Sequence, residues 1–491
     1  MRDSRKIHIA IDYSFIGILA FIVSLNSSTT PFWSREPGVD SGVFLYVAQR
    51  LSYGEMPYLD NFDHKGPLLY LVDRIALLIS PTYGIWIMEL IILFISFIIF
   101  YKISGLITNN RLIPLIIVTT AAMFIPEFYN EGNTVELIAM PLISLALYVY
   151  CKYFFKGSIK NHELILFGIT FASVMLLRVN MAAPWCIMCL AVVIKAVKQK
   201  QAKEIRRFIL FFLTGIALIA VPVFLWLLCR HAFSSFIDQY VIFNIKYSRL
   251  IGNANKHYPI YKVFFSFLKE ELILVSLLIS VVPCILKKDT FSFSLTIMIP
   301  FTTILSSISG RMYPHYVLAL IPLCIPAMAN SIDPINGKLK LQGKKKIIIP
   351  VILFVIAGAF PFTKQMYLYG INTSSVLDQD LVLTLDYIDQ FTDENDAVAI
   401  YGNRDSILYL SQRRSASRYS YQCPVSKFDE IILKEYFEDL EAEKPKLIII
   451  ASSSAWDLDL GIITDYLKSN NYEKLPSSDG TIITFVLAEQ D

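Results

Sequence analysis

Long apolar runs, separated by short polar loops, fill the first three quarters of this chain. A helix needs roughly 17 to 25 apolar residues to cross a bilayer, and several runs approach that length. We predict about eleven membrane spans, at residues 9–28, 83–101, 112–126, 134–151, 163–178, 181–197, 208–228, 268–286, 291–308, 315–331 and 347–365. The pattern predicts a mainly α-helical, polytopic transmembrane protein whose basic N-terminal segment is retained as the first span.

Lysine and arginine cluster in alternate loops, and this asymmetry predicts the orientation of the spans. The clusters lie at residues 2–6, 102–111, 152–160, 195–207, 287–288 and 338–346. With eleven spans, all of these clusters fall on one side, which we predict to be the cytoplasm. The N-terminus is then cytoplasmic, while the loop after the first span and the C-terminal tail lie outside the cell membrane.

From about residue 372 the polar fraction rises and the apolar runs shorten to strand length. The stretches "DAVAIYG" and "KPKLIIIAS" are typical of buried strands, whereas "LDQDLVLTLDYIDQFT" and "KFDEIILKEYFEDLEAEK" have helical spacing of apolar residues. We therefore predict a transmembrane domain at residues 1–371 and a small extracytoplasmic α/β domain at residues 372–491.

Composition excludes several function classes. Hydrophobic residues make up 55% of the chain and charged residues 17%, and the net charge of +3 gives no indication of a nucleic-acid partner. The seven cysteines form neither a disulfide framework nor a metal-ligand pattern. We find no glycine-rich phosphate loop, no Ser-His-Asp arrangement and no nucleotide-sugar DxD motif on the predicted cytoplasmic side.

The polar loop after the first span carries the strongest candidate chemistry. It reads "EPGVDSGVFLYVAQRLSYGEMPYLDNFDHKGPLLY", and its spacing predicts one interfacial helix from Asp40 and another after Pro67. Asp40 could cap the first of these helices or serve as a reactive carboxylate. The carboxylates of Glu36, Glu55 and Asp60 are most simply solvated.

This loop resembles the first external loop of membrane glycosyltransferases with the GT-C fold. The closest branch is the bacterial relatives of protein O-mannosyltransferases and of the aminoarabinose transferase that modifies lipid A. The stretch "SGRMYPHYVLALIP" before a late span and the C-terminal α/β domain are similar too. The resemblance implies inverting transfer of a sugar from a polyprenyl-phosphate donor to a glycan, lipid or protein acceptor at the outer membrane face.

Under this resemblance, Asp40 matches the family's catalytic aspartate, which takes the proton from the acceptor hydroxyl. The family usually has Asp-Glu at this position, whereas this chain has Asp40 followed by Ser41. A leaving lipid phosphate needs cationic partners. The candidates, each weighed against an ordinary solvated, snorkelling or interfacial side chain, are Lys65, Arg178, Arg311 and His315.

A second polar group is expected to contact the acceptor or to supply another acidic site. Its candidate residues are Asp63, His64, Glu131, Glu136 and Tyr313. Glu136 could instead only complement the dipole at a helix N-terminus, and Asp63 and His64 could be turn residues. No cofactor is inferred, and a loosely held divalent cation would leave no sharp pattern.

Two other functions share parts of this pattern. A transporter or flippase for lipid-linked saccharides is expected to place ionisable groups within the spans and in both halves of a repeat. An O-antigen ligase or polymerase is expected to centre on Arg and His in a large, late external loop. The acidic residues after the first span favour the polyprenyl-phosphate-dependent glycosyltransferase.

Overall fold

The computed structural model describes residues 2–30, 32, 36–129, 132–157, 159–249, 258–364, 378–451 and 459–488. The chain divides into two compact units that are discontinuous in sequence. The first unit comprises Met1–Ser27, Trp86–Leu225 and Lys256–Thr373, and the second comprises Ser28–Ile85, Trp226–Asn255 and Ser374–Asp491. The boundaries 1–371 and 372–491 stay a prediction, although the last segment of the second unit begins close to residue 372.

The described part of the chain is mostly helical, as predicted. Numbered along the chain, its first helices are α1 (Arg2–Ser24), α2 (Val39–Arg50), α3 (Pro67–Ile79), α4 (Gly84–Ile107), α5 (Leu112–Phe124), α6 (Val135–Lys156), α7 (Asn161–Met175), α8 (Ala183–Lys198) and α9 (Ala202–Cys229). They are followed by α10 (Phe233–Phe236), α11 (Asn244–Arg249), α12 (Ile260–Leu268), α13 (Glu271–Lys287), α14 (Thr290–Ser307), α15 (Ile321–Lys338), α16 (Ile348–Phe354), α17 (Gln379–Phe391), α18 (Ser406–Ser411), α19 (Ile431–Glu443) and α20 (Leu460–Ser469).

Every one of the predicted spans coincides with helical structure in the first unit or at its edges. Among the residues that the structure describes, seven segments are long and apolar enough to cross a membrane: Ile7–Ser24, Gly84–Ile107, Val135–Lys156, Val179–Lys198, Ala202–Cys229, Thr290–Ser307 and Gly343–Lys364. Leu112–Phe128 and Asn161–Met175 are shorter apolar helices. A multi-pass membrane protein is therefore confirmed, with fewer segments meeting the length and hydropathy criteria than predicted.

Two glycines allow a close approach of α7 and α9 in the first unit. A Cβ atom built on Gly168 of α7 would lie 2.1 Å from the carbonyl oxygen of Phe212 in α9. One built on Gly215 of α9 would lie 2.1 Å from the carbonyl oxygen of Ile165. The absence of side chains at both positions brings the two backbones together, as in other helix contacts built on small residues.

The second unit contains the predicted α/β structure. Its five-stranded sheet has the order β2-β1-β3-β5-β4, with strands β1 (Ala397–Gly402), β2 (Arg414–Ser415), β3 (Leu447–Ala451), β4 (Tyr472–Lys474) and β5 (Ile483–Leu487). Strands β1, β2 and β3 are parallel, and β5 runs antiparallel to both β3 and β4. Every residue of β1 and β3 is buried, which confirms the prediction from their apolar runs.

The loop helix α2 belongs to the core of the same unit. Tyr46 packs with Ile400 and Ile449 of the sheet and with Ile407 of α18. Its hydroxyl also accepts a hydrogen bond from the backbone N–H of Ser415, at 2.7 Å. The helix that carries Asp40 is therefore held by the C-terminal sheet, a connection that the sequence pattern did not predict.

Candidate active site

Asp40 lies in the first turn of α2, in the second unit. The N-cap residue of the helix is Gly38, and its cap involves no side-chain hydrogen bond. Within the described ranges, no hydrogen bond reaches the carboxylate of Asp40, and the side chain is only partly buried. Capping therefore does not account for this aspartate, although its charge still suits a helix N-terminus.

The position of Asp40 is fixed by the residues around it. Gly42 packs so closely against α18 that an added Cβ would lie 2.7 Å from the backbone nitrogen of Ser406. Just before the helix, Glu36 accepts hydrogen bonds from Arg404, at 2.9 and 2.6 Å, and from the hydroxyl of Ser406. These contacts hold the start of α2 in place.

The prediction that Glu36, Glu55 and Asp60 are simply solvated was wrong for Glu36 and Glu55, which form ion pairs, and right for Asp60, which is exposed. Besides the pair between Glu36 and Arg404, Glu55 forms an ion pair with Arg50, and Asp60 accepts a hydrogen bond from the backbone N–H of Met56 at 2.6 Å. Glu36 and Glu55 therefore order the loop through ion pairs, whereas the carboxylate of Asp60 keeps its contact with water. The sequence indicated neither pair, because a separation of five positions between Arg50 and Glu55 is not the three or four of helical neighbours, and Arg404 is 368 positions from Glu36.

Asp63 is the centre of a buried polar cluster in the second unit. Its side chain is 2% exposed. It accepts hydrogen bonds from the hydroxyls of Tyr70, at 2.7 Å, and Tyr421, at 3.0 Å, and from the backbone N–H of His64, at 2.6 Å. Burial raises the pKa of Asp63, which these hydrogen bonds and the charge of Lys65 partly offset. The carboxylate is accordingly satisfied by the protein.

His64 and Lys65 lie beside this carboxylate. The Nζ atom of Lys65 is 3.3 Å from Nε2 of His64 and 5.5 Å from the centre of the Phe44 ring. His64 also has its ring 5.6 Å from that of Tyr247. The ammonium group of Lys65 therefore lies between the imidazole of His64 and the aromatic ring of Phe44.

Negative charge converges on Tyr421. Burial raises the pKa of Tyr421 well above its usual value, and the charges of Asp63, Asp405 and Asp40 raise this pKa further. Asp405 is itself fully buried, and burial raises its pKa to about 7. Sequence analysis missed Asp405 and Tyr421, because both lie in the C-terminal segment, far along the chain from Asp40.

The first unit brings together several other predicted site residues. Arg178 forms an ion pair with Glu136, whose side chain is 3% exposed. The guanidinium of Arg178 also lies 3.8 Å from the centre of the Tyr316 ring. The Nε2 atom of His315 is 4.0 Å from a carboxylate oxygen of Glu136. Tyr313 stacks on His315, with ring centres 5.6 Å apart and an interplanar angle of 7°. Glu136 thus has the cationic Arg178 and the imidazole of His315 as neighbours, beyond the helix dipole.

Arg311 belongs to the same segment as Tyr313 and His315, and its side chain is 1% exposed. A snorkelling arginine keeps its charged group in water, so that alternative does not hold for this buried residue. A buried guanidinium is unfavourable unless its charge is compensated. Glu131 lies outside the described residues.

A further acidic group was missed by the sequence analysis. Carboxylate oxygens of Glu127, Glu270 and Glu271, in the first unit, lie within 4.8 Å of one another. Lys364 forms an ion pair with Glu127 at 2.5 Å. Glu127 lies 143 positions before the adjacent pair Glu270 and Glu271, so no local spacing pointed to the group of three. We assign no ion to this group.

Three comparisons place the fold among known proteins. The computed structure is similar to the crystal structure of ArnT from Cupriavidus metallidurans in the apo state, with a TM-score of 0.63 at 10% identity over 99% of this chain and 98% of that one. ArnT from the same organism bound to undecaprenyl phosphate gives 0.62 at 11% identity, over 97% and 98%. The oligosaccharyltransferase of Archaeoglobus fulgidus in the apo form gives 0.51 at 11% identity, over 90% and 69%.

These similarities show that the chain has the GT-C fold, as the resemblance implied. By sequence, residues 2–377 match the family model described as the competence-induced protein Ccs4 N-terminal domain, so the chain belongs to that family. Comparison with the sequences of curated proteins gives no match.

Proposed function

We propose that this protein is an inverting membrane glycosyltransferase that uses a polyprenyl-phosphate-linked sugar as donor. The observation that carries the proposal is the structural similarity, over nearly the whole chain, to a transferase that has been crystallised with undecaprenyl phosphate. Reaction at the outer face of the cytoplasmic membrane, with the N-terminus inside and the C-terminal segment outside, agrees with the distribution of lysine and arginine.

In this proposal, Asp40 is the general base. Its carboxylate takes the proton of an acceptor hydroxyl while the acceptor oxygen bonds to the anomeric carbon of the donor. The bond from that carbon to the phosphate oxygen breaks, and the lipid phosphate leaves with its negative charge. Support comes from the partly exposed carboxylate, which accepts no hydrogen bond in the described part of the protein, and from the contacts that fix the start of α2.

The cationic residues of the first unit are proposed to bind the donor phosphate. Arg178, Arg311 and His315 are the proposed ligands, and Lys65 stays a separate candidate. Glu136 orients the Arg178 guanidinium through their ion pair, which leaves other N–H groups of the five-donor fork for an anionic ligand. Desolvated cations of this kind stabilise the charge that develops on a leaving phosphate.

Asp63 is proposed to act by positioning other groups. It is buried, and tyrosine hydroxyls and a backbone N–H occupy its oxygens, so contact with an acceptor would require these bonds to break. Through Tyr421 and His64 it would order the loop that contains Lys65. Tyr313, stacked on His315, and Glu131 remain the candidates for contact with the acceptor.

The test is made with purified protein in proteoliposomes that contain radiolabelled polyprenyl-phosphate sugars. Extracted envelope lipids and glycans are added as acceptors, and both label transfer and donor movement between leaflets are measured. We expect donor consumption with transfer of label to an acceptor, and inverted configuration at the anomeric carbon of the transferred sugar. Donor movement between leaflets without transfer would contradict the proposal and favour a flippase.

A further inference from the structure

A cavity of about 610 Å³ lies wholly within the second unit. Its lining includes Leu45, Gln49 and Tyr53 from α2 and the turn that follows it, Arg74 from α3, and Tyr83 and Tyr409. The volume falls within the range of about 300 to 1,000 Å³ that is usual for small-ligand sites. The cavity is large enough for more than a few ordered waters.

This cavity faces away from the proposed base. Successive residues of an α-helix are rotated by about 100°, so Gln49, nine positions after Asp40, points about 180° from it around α2. Leu45, five positions after Asp40, points about 140° from it. A ligand in this cavity would therefore occupy the opposite side of the helix from the Asp40 carboxylate.

The polar groups of the cavity are incompletely satisfied by the protein. Oε1 of Gln49 and Oγ1 of Thr30 are buried and have no hydrogen-bond partner in the described part of the chain. Thr30 is 2% exposed, so its hydroxyl has little access to bulk water. A buried oxygen without a partner is unfavourable, and a ligand that donates a hydrogen bond to it would remove this penalty.

Arg74 adds a positive charge to the same wall. Among the described residues it forms neither an ion pair nor a side-chain hydrogen bond, and it is partly buried. A guanidinium offers a planar fork of donors that matches a carboxylate or a phosphate. The rings of Tyr53 and Tyr83 are 61% and 49% exposed, and they supply apolar faces with polar tips.

We propose that this cavity binds an anionic saccharide. The arginine would bind the carboxylate or phosphate of the ligand, the buried oxygens would accept from its hydroxyls, and the tyrosine rings would pack against the faces of its sugar rings. It would thus be a binding site additional to the reacting groups, and it does not depend on the assignment of Asp40. Such a site would retain a charged glycan while another part of that glycan reacts.

The first test measures binding, not transfer. Full-length protein in nanodiscs is titrated by calorimetry with a galacturonate trisaccharide and with glucose 1-phosphate, and galactotriose serves as the neutral control. We expect the two anionic probes to bind at least about ten-fold more tightly than galactotriose. Equal affinities, or no binding of any probe, would overturn the proposal.

Substitutions then locate the site. Arg74→Gln should lower the affinity for the anionic probes about ten-fold or more, and Arg74→Lys should recover only part of this loss. Arg206→Gln, at an exposed arginine outside the cavity, should leave the affinity unchanged. Thr30→Val should weaken binding without lowering the unfolding temperature, because it removes a buried oxygen that lacks a partner. Unchanged affinity in Arg74→Gln would refute the assignment.

A competition experiment separates a saccharide from the headgroup of the carrier lipid. Undecaprenyl phosphate is incorporated into the nanodiscs at increasing mole fraction, and the titration with galacturonate trisaccharide is repeated. We expect no loss of trisaccharide affinity, since the cavity is proposed to recognise the sugar as well as its charge. Competitive displacement by the lipid would show a phosphate headgroup site and would contradict the proposal.

Discussion

Asp405 gives a pH-dependent test of the packing around the proposed base. Its Oδ2 atom accepts a hydrogen bond from the Ser420 hydroxyl at 2.7 Å, whereas Oδ1 is buried without a partner in the described chain. Burial raises the pKa of this carboxyl from its ordinary 3.8 to about 7, and the charge of Asp63 adds to this increase. The protonated form is therefore favoured in the folded state.

The sign and size of the effect follow from proton linkage. Below about pH 4 both folded and unfolded states hold the proton, so Asp405 contributes no pH dependence. Between about pH 4 and 7 the folded state binds more protons, and stability falls as the pH rises. A difference of about three pKa units corresponds to about 4 kcal/mol that is lost by pH 8.

Hydrogen exchange of the full-length protein measures the pH dependence of stability around Asp405. A local measurement is needed because the two units need not unfold together. Protection of amides in β1 and α18, corrected for intrinsic exchange, is compared between wild type and Asp405→Asn from pH 5 to 8. We expect the free energy of opening at these amides to fall by roughly 3 kcal/mol more in wild type than in the variant between pH 5 and 8. The exposed Asp386→Asn is the matched control and should follow wild type.

Asp63 titrates in the same direction, but it is present in both proteins and cancels in the comparison. Identical pH profiles for wild type and Asp405→Asn would refute the reasoning. They would mean that water or a rearrangement solvates the carboxylate, and that α18 does not pack against α2 as described.

Other consequences can be tested with the same protein. Glu136→Gln should destabilise the first unit by about 3 to 5 kcal/mol, because it leaves the Arg178 charge without its partner. A double-mutant cycle with Arg178→Gln, measured by thermal unfolding, should show strong coupling between the two residues. Additive effects of the two substitutions would contradict the ion pair. Gly42→Ala should lower the free energy of unfolding by about 1 to 3 kcal/mol and slow sugar transfer, because the new methyl group meets the Ser406 backbone. Gly337→Ala is the control: its methyl group enters open space, so neither the stability nor the transfer rate should change. Equal behaviour of the two alanine variants would mean that α2 is not held at Gly42.

The membrane helices and the buried strands could be predicted because their signals are local. Runs of apolar residues identify spans, and the runs in β1 and β3 identify buried strands regardless of the rest of the chain. The predicted start of α2 at Asp40 agrees with the observed Val39–Arg50 within one residue. The count of spans was harder, because Asn161–Met175 and similar helices are short for a bilayer.

Long-range pairing could not be predicted. Glu36 and Arg404 are 368 positions apart, and neither position has a periodicity that points to the other. The same holds for Asp63 and Tyr421, which are 358 positions apart. The first loop and the C-terminal segment pack into one unit. Residues of the loop, such as Glu36, therefore form ion pairs and hydrogen bonds with residues that are distant in sequence. Arg178 and Glu136 were identified only as separate candidates for the same reason.

The most direct test of the account is the single-turnover rate of sugar transfer by Asp40→Asn at saturating donor. Loss of a general base is expected to slow transfer by roughly 10² to 10⁴-fold, while the affinity for the polyprenyl-phosphate donor stays unchanged. Glu438→Gln, which removes an exposed carboxylate of the same unit, should retain the wild-type rate. Transfer by Asp40→Asn within about three-fold of wild type would contradict the central claim that this aspartate is the base.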